Sequence, residues 1–328
     1  MSSASLHLPV ERGYSAVALQ QTLPASDRLR EHSDRAMEDC VNLSRFGMNT
    51  VTLAGDLEAK LDAISNAGFQ AIELWAKDLT GHAGGVAAAS RAVKNSGLRI
   101  SSFQLLRDFE GLPDAMLQYK LDTVKPIMEM MRAVGCDLLL VSSSTSPDSS
   151  GEKVKLADDL AKLATLATPL DIRVGYEPLS WGRFINDYPS ASEIIELADR
   201  ENLGLVLDSF QFLARATSLE QLDAISGDRI FLFQLSDFGS ELTDPMETAR
   251  HHRVFPGEGS HGAAIVGLIE RAAAAGYGGD YTFEVFNDDY LRTAAPVVME
   301  RARRSVEWLG ARTSLAAPGA NRLSEPAR

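Results

Sequence analysis

The chain has 328 residues, of which 45% are hydrophobic and 23% charged. Those fractions are ordinary for a packed globular protein and exclude a mainly disordered or fibrous chain. Acidic residues outnumber basic ones, 45 to 32, and the net charge of −13 repels phosphate backbones, so nucleic acid is excluded as a partner class.

The first stretch, residues 1–46, carries scattered charge and small polar residues and is expected to be an extension, partly helical over 27–41. Its opening SSASLHLPVERG has neither the basic start nor the apolar core of a secretory signal. No later run reaches the roughly eighteen apolar residues a membrane span needs. With only Cys40 and Cys136 present, the chain has no disulfide framework, and a cytoplasmic setting is the expectation.

From 47 to 311 short apolar runs alternate with longer helical patterns. The predicted strands are NTVTLA (49–54), QAIELWA (70–76), RISSFQLL (99–106), DLLLVSS (137–143), IRVGYEP (172–178), LGLVLDS (203–209), IFLFQLS (230–236) and YTFEVFN (281–287). They are nearly continuous apolar runs, the mark of parallel strands buried on both faces. Helices are predicted over 56–68, 86–97, 113–135, 151–168, 189–200, 218–225, 262–276 and 295–310. Pro126 predicts a kink or break in the third of these. Residues 312–328, rich in Ala, Pro and polar side chains, are expected to form a disordered tail. Eight strands alternating with eight helices predict a (β/α)8 barrel. An open doubly wound sheet would carry a glycine-rich phosphate loop after the first strand, and TLAGDLE is not one.

In such a barrel the chemistry lies at the carboxyl ends of the strands. Four consecutive strands end in or carry Glu177, Asp208, Gln234 and Glu284. A carboxylate inside an apolar run is costly unless paired or bound to a metal. Three of them converging would repel one another, and a divalent cation removes that conflict. The oxygen-only set favours a hard ion over zinc. Taken singly, Asp208 also reads as a helix cap and Gln234 as a hydrogen-bonded core residue.

On these residues, and on FQLLRDFEG (103–111), YEPLSWGRFIND (176–187), NLGLVLDSFQFLAR (202–215), DRIFLFQLSD (228–237), RHHRVFPGEG (250–259) and FEVFNDDY (283–290), the chain resembles the xylose-isomerase-like barrels. Within them it looks most like the bacterial 3-dehydroshikimate dehydratases. The resemblance implies that Glu177, Asp208, Gln234 and Glu284 bind Mg²⁺, Mn²⁺ or Co²⁺. It implies that Arg107 and Arg253 hold the substrate, one near its carboxylate, a role suited to a planar guanidinium. The family pattern has a histidine three residues after the Asp ligand, and here Gln211 stands there. Glutamine donates a hydrogen bond but cannot act as an acid or base near neutral pH.

His251 and His252 are the candidate proton carriers, with Glu258 and Glu73 weaker ones. The implied reaction is dehydration of 3-dehydroshikimate, or a similar cyclic keto acid, to protocatechuate. The alternative is a sugar or cyclitol isomerase or epimerase on the same site, and a non-catalytic binding barrel is a further rival. The expected partner is a small molecule, and the N-terminal extension leaves a homo-oligomer open. Met128, Met130, Met131 and Cys136 read as packing residues, Trp181 and Phe184 as pocket walls or packing, and His82 as a loop histidine.

Overall fold

The computed structural model describes residues 43–242 and 244–316. The extension predicted for 1–46 lies almost entirely outside the described residues, including its helix at 27–41. Eight parallel strands close into a barrel in chain order: β1 (Phe46–Asn49), β2 (Ala71–Trp75), β3 (Arg99–Leu106), β4 (Leu138–Ser142), β5 (Arg173–Glu177), β6 (Leu203–Asp208), β7 (Ile230–Leu235) and β8 (Tyr281–Phe283). Among the described residues the helices are α1 (Leu57–Asn66), α2 (Ala76–Thr80), α3 (Gly85–Asn95), α4 (Asp114–Val134), α5 (Lys153–Ala167), α6 (Tyr188–Ala198), α7 (Ser209–Ala214), α8 (Pro245–His251), α9 (Gly262–Ala274) and α10 (Ala295–Gly310). None is long and apolar enough to cross a membrane.

The apolar strand runs split by parity into two cores. Leu139, Val141, Val174, Tyr176, Leu205, Leu207, Phe233 and Leu235 belong to the large cluster that packs strands against helices. Leu138, Leu140, Val206 and Leu232 form a separate cluster. Side chains two apart on a strand share a face. Ser142 therefore follows Leu140, Asp208 follows Val206 and Gln234 follows Leu232 on the face of that second cluster, inside the barrel. Cross-strand register pairs Ser142 with Glu177 and Asp208 with Gln234, so the polar residues form a layer above an apolar plug.

Several elements depart from the sequence expectation. The first strand is 46–49, not 49–54. Asn49 ends it by accepting the Val51 amide on its side chain, and Thr50–Thr52 become a 3-10 turn. The threonines of that turn serve neighbouring strands instead: the Trp75 amide donates to Thr50 and the Val285 amide to Thr52. The second of these bonds occupies a backbone group that a longer β8 would use, and β8 stops at Phe283. The helix predicted at 218–225 is only a 3-10 turn, Leu219–Leu222, with Leu222 buried in it and Ile225 buried three residues on. Helix α4 runs unbroken through Pro126. Residues 314–316, assigned to the disordered tail, form a 3-10 turn with Leu315 buried. The rest of the tail lies outside the described residues.

Candidate metal centre

Glu177, Asp208 and Glu284 are all buried and bring one carboxylate oxygen each within 4.8 Å of the others. Strand parity sends the first two inward. Glu284 lies just past β8, its amide still bound to the Leu235 carbonyl, and its side chain receives Asn49 at 3.2 Å and Gln104 at 2.6 Å on Oε1.

Asp208 performs both roles the sequence allows. Its Oδ1 caps α7 by accepting the Phe210 amide at 2.8 Å, and its Oδ2 faces the cluster. Burial pushes the Asp208 carboxyl up to about 6, against the pull of Arg253. Burial also raises Glu177 well above the usual carboxylate range, with the charges of Glu284 and Asp208 adding to it.

Gln234 completes the layer. Its Nε2 donates to Glu73 at 3.0 and 3.3 Å, and this fixes the amide's orientation. Its Oε1 is buried with no hydrogen-bond partner among the described residues. Glu73, wholly buried beneath, accepts from the Ser102 hydroxyl, Gln104, Gln234 and the Thr282 hydroxyl. Burial first, and then the Glu284 charge, push the Glu73 carboxyl up to about 8. Glu73 thus acts as the support of Gln234 and Gln104, a role its position mid-strand did not reveal.

Arg253, which the resemblance implies holds the substrate, stands on the cleft wall and is also bound to the triad. It is buried, and its Nη1 lies 2.8 Å from Asp208 Oδ2 and 3.1 Å from Glu284 Oε2. Nε donates to the Ala249 carbonyl, and the guanidinium lies over the Phe210 ring at 4.5 Å. Burial works against its charge, but Asp208, Glu284 and Glu177 outweigh that and raise its pKa.

The residues fit a bound cation. Three carboxylates meet one guanidinium, which leaves two negative charges that a divalent ion would neutralise. The triad offers only oxygens, and the strand register sets Gln234 beside Asp208 with an Oε1 that has no hydrogen-bond partner among the described residues.

One cleft opens onto this layer. Arg107, Ser142, Glu177, Trp181, Gln211, Arg250, Arg253 and Glu284 are among its walls. Gln211 is buried and fully engaged: its Oε1 accepts the Ser180 amide at 2.8 Å and its Nε2 donates to Glu177 at 3.4 Å. The Ser142 hydroxyl has no partner among the described residues.

Arg107 is exposed, and its neighbours do not neutralise it. Asp108 accepts the Thr145 amide and hydroxyl, while Glu110 accepts the Ser144 amide and the Tyr176 hydroxyl. Gly111, at φ +79°, packs where a Cβ would lie 2.3 Å from Ser149 Oγ, and its amide donates to the buried Asp159. The loop that carries Arg107 is thereby pinned to β4, β5 and α5.

His251 and His252 are not brought to the cleft. His251 Nδ1 lies 3.0 Å from Asp288, and both imidazoles face Glu247 at 3.9 Å. They sit at the end of α8, where the backbone turns Arg253 inward and leaves them outward. Glu258 binds Arg301 and the Tyr290 hydroxyl, a structural clasp away from the cleft. His82 pairs with Glu58. Phe184 is 43% exposed and packs against Gly151, and Trp181 lines the cleft.

The family described as xylose isomerase-like TIM barrel matches residues 61–312, which include all four proposed ligands. The chain is 39% identical over 247 residues to a 3-dehydroshikimate dehydratase of Pseudomonas aeruginosa, covering 75% of this chain and 38% of the relative. It is 37% identical over 279 residues to that of Pseudomonas putida, covering 84% and 43%. The chain therefore spans less than half the length of these relatives. Among solved structures, a xylose isomerase-like TIM barrel/4-hydroxyphenylpyruvate dioxygenase fusion protein superposes with a TM-score of 0.79 at 35% identity, covering 83% of this chain and 44% of that one. The IOLI protein, crystallised with a zinc atom, superposes at 0.72 with 21% identity, covering 82% and 99%. The chain belongs to the xylose isomerase-like TIM-barrel family.

Proposed function

We propose that the chain is a metal-dependent hydro-lyase that converts 3-dehydroshikimate, or a close cyclic keto acid, to protocatechuate. The observation that carries this reading is the buried Glu177–Asp208–Glu284 triad in a barrel 37–39% identical to 3-dehydroshikimate dehydratases. Glu177, Asp208, Glu284 and Gln234 Oε1 would hold a divalent cation, and their oxygen-only chemistry favours Mg²⁺ or Mn²⁺. When bound, the ion supplies Lewis-acid stabilisation of negative charge on a keto oxygen.

The chain's own groups do the rest. Arg107 holds the substrate carboxylate at the rim. Arg253 keeps Asp208 and Glu284 in place and adds positive charge beside the keto oxygen. Gln211 orients Glu177. Glu177 and Glu284 are the carboxylates on the cleft wall among the described residues, so one of their oxygens takes the proton from the carbon beside the ketone. The neighbouring hydroxyl leaves with a proton as water, and a final carbon-to-oxygen proton shift aromatises the ring.

One observation favours a second reading. Gln211, locked between Ser180 and Glu177, cannot move a proton where the family pattern has a histidine. A site without that proton carrier suits an isomerase or epimerase that returns the proton to carbon. An absorbance assay for protocatechuate, with metal-loaded protein, 3-dehydroshikimate and a chelator control, separates the two. Chelator-sensitive product supports the hydro-lyase. Bound metal without product removes that reading and leaves the isomerase.

A further inference from the structure

The cleft has an acidic floor and a basic rim. Its space free of atoms, open to solvent, is about 430 Å³. Arg107 enters from the loop after β3 and Arg250 from the last turn of α8. Both are exposed, and both line the cleft. Among the described residues neither guanidinium makes an ion pair or hydrogen bond. The carboxylates nearby in sequence are engaged elsewhere: Asp108 and Glu110 on β4-loop amides and hydroxyls, Glu247 facing His251 and His252. Arg253, three residues on, already belongs to Asp208 and Glu284.

We propose that Arg250 is a specificity-determining residue that, together with Arg107, binds the carboxylate of an anionic substrate at the rim of this cleft. The inference deepens the function proposed above and rests on the same cleft being the substrate site. In a chain of net charge −13, two guanidinium groups on one cleft with no acidic partner among the described residues form a local attractor for an anion. Each offers a planar fork that matches a carboxylate. The opposite polarity of floor and rim orients a molecule end to end, its carboxylate outward and its keto and hydroxyl oxygens toward Glu177 and Glu284. The unpartnered Ser142 hydroxyl, on the same wall, suits such a hydroxyl. Arg250 thereby joins Arg107 at the carboxylate, while Arg253 stays bound to Asp208 and Glu284.

The test compares shikimate with its neutral methyl ester, by calorimetry on the full Mg²⁺-loaded chain. The two probes share every hydroxyl and differ in the charge of one group. The unsubstituted protein should bind the acid at least about tenfold more tightly than the ester. Arg250→Gln should remove most of that ratio and leave the ester's affinity unchanged, while Arg250→Lys should keep part of it. The clamp is overturned if Arg250→Gln keeps the ratio, if it weakens both probes equally, or if the unsubstituted protein shows no preference or binds neither. Protocatechuate formation is followed in parallel. An Arg250-dependent preference without turnover retains the clamp and removes the dehydration; turnover without the preference does the reverse.

Discussion

At the ends of β5 and β6 and just past β8, buried carboxylates converge, whereas at the β3–β4 corner equally buried carboxylates stay apart. Glu177, Asp208 and Glu284 crowd within 4.8 Å, and the one cation they meet among the described residues is Arg253. At the corner, Glu110 takes a backbone amide and a tyrosine hydroxyl, and Asp159 takes the Gly111 amide with Lys155 and Lys162 at 3.1 Å. The residue types and burial match, but the means of settling the charge differ. Dispersed carboxylates are satisfied by donors and serve to hold a loop. Converging ones are left short of positive charge, a deficit that a bound cation would remove.

The sharpest way to break this contrast is Glu284→Gln. It removes one charge from the converging set and should lower turnover by about 10,000-fold, or ~5.5 kcal/mol of barrier, together with bound metal. The protocatechuate assay and elemental analysis check both, and near-normal activity would sink the metal assignment. Next comes Arg253→Gln, which strips the triad of its internal cation. The metal-free protein should lose about 3–5 kcal/mol, as when a buried pair loses one partner. Added Mn²⁺ should restore more stability to this variant than to the parent, and equal recovery in thermal melts would count against the ion site.

Arg107→Gln tests the rim rather than the floor. It should raise KM for 3-dehydroshikimate about tenfold with kcat changed little, a loss of ~1.4 kcal/mol. A fall in kcat with KM unmoved would place Arg107 in the chemistry instead.

Glu110→Gln gives the smallest effect and is read through pH. Burial pushes the Glu110 carboxyl up from 4.5 to about 7. The folded state therefore holds its proton more tightly than the unfolded chain does. The stability this contributes is full below about pH 4.5 and is lost as pH rises through about 7. A glutamine can accept from both Ser144 and Tyr176 through a carbonyl oxygen in the place of Oε1, and its amide nitrogen then stands in the place of Oε2, which has no partner among the described residues. The variant should lack that decline between pH 4.5 and 7 and equal or exceed the parent at pH 8. Denaturant titrations of both proteins across pH give the difference. A difference that does not change with pH would show that Glu110 is not the titrating group.

Much of the frame was legible because its physics is local. Parallel strands buried on both faces read as continuous apolar runs, and β3 falls on its expected residues, 99–106. A Glu or Asp inside such a run stands out for the same reason, and Glu177 and Asp208 fall on the inner face that strand parity allows. The first strand was misplaced because a β-branched run, Thr50–Thr52, reads as strand while its hydroxyls bind other strands' backbones. That use of the side chains depends on partners 25 and 233 residues away.

The sequence alone determined the alternation, the barrel and the four strand-end residues, since these follow from period-two patterning and the cost of an unpaired carboxylate in an apolar run. Only the tertiary structure decided what each polar group faces. It turned Arg253 inward to partners 45 and 31 residues away and left Arg250 on the cleft. It kept His251 and His252 with Asp288 and Glu247. It also placed Glu73 beneath Gln234. Neighbouring residues in RHHR carry similar charge, and no local rule separates them. Their roles are set by which side chain the end of α8 points at the buried carboxylates, where burial and Coulomb attraction, rather than sequence spacing, select the partner.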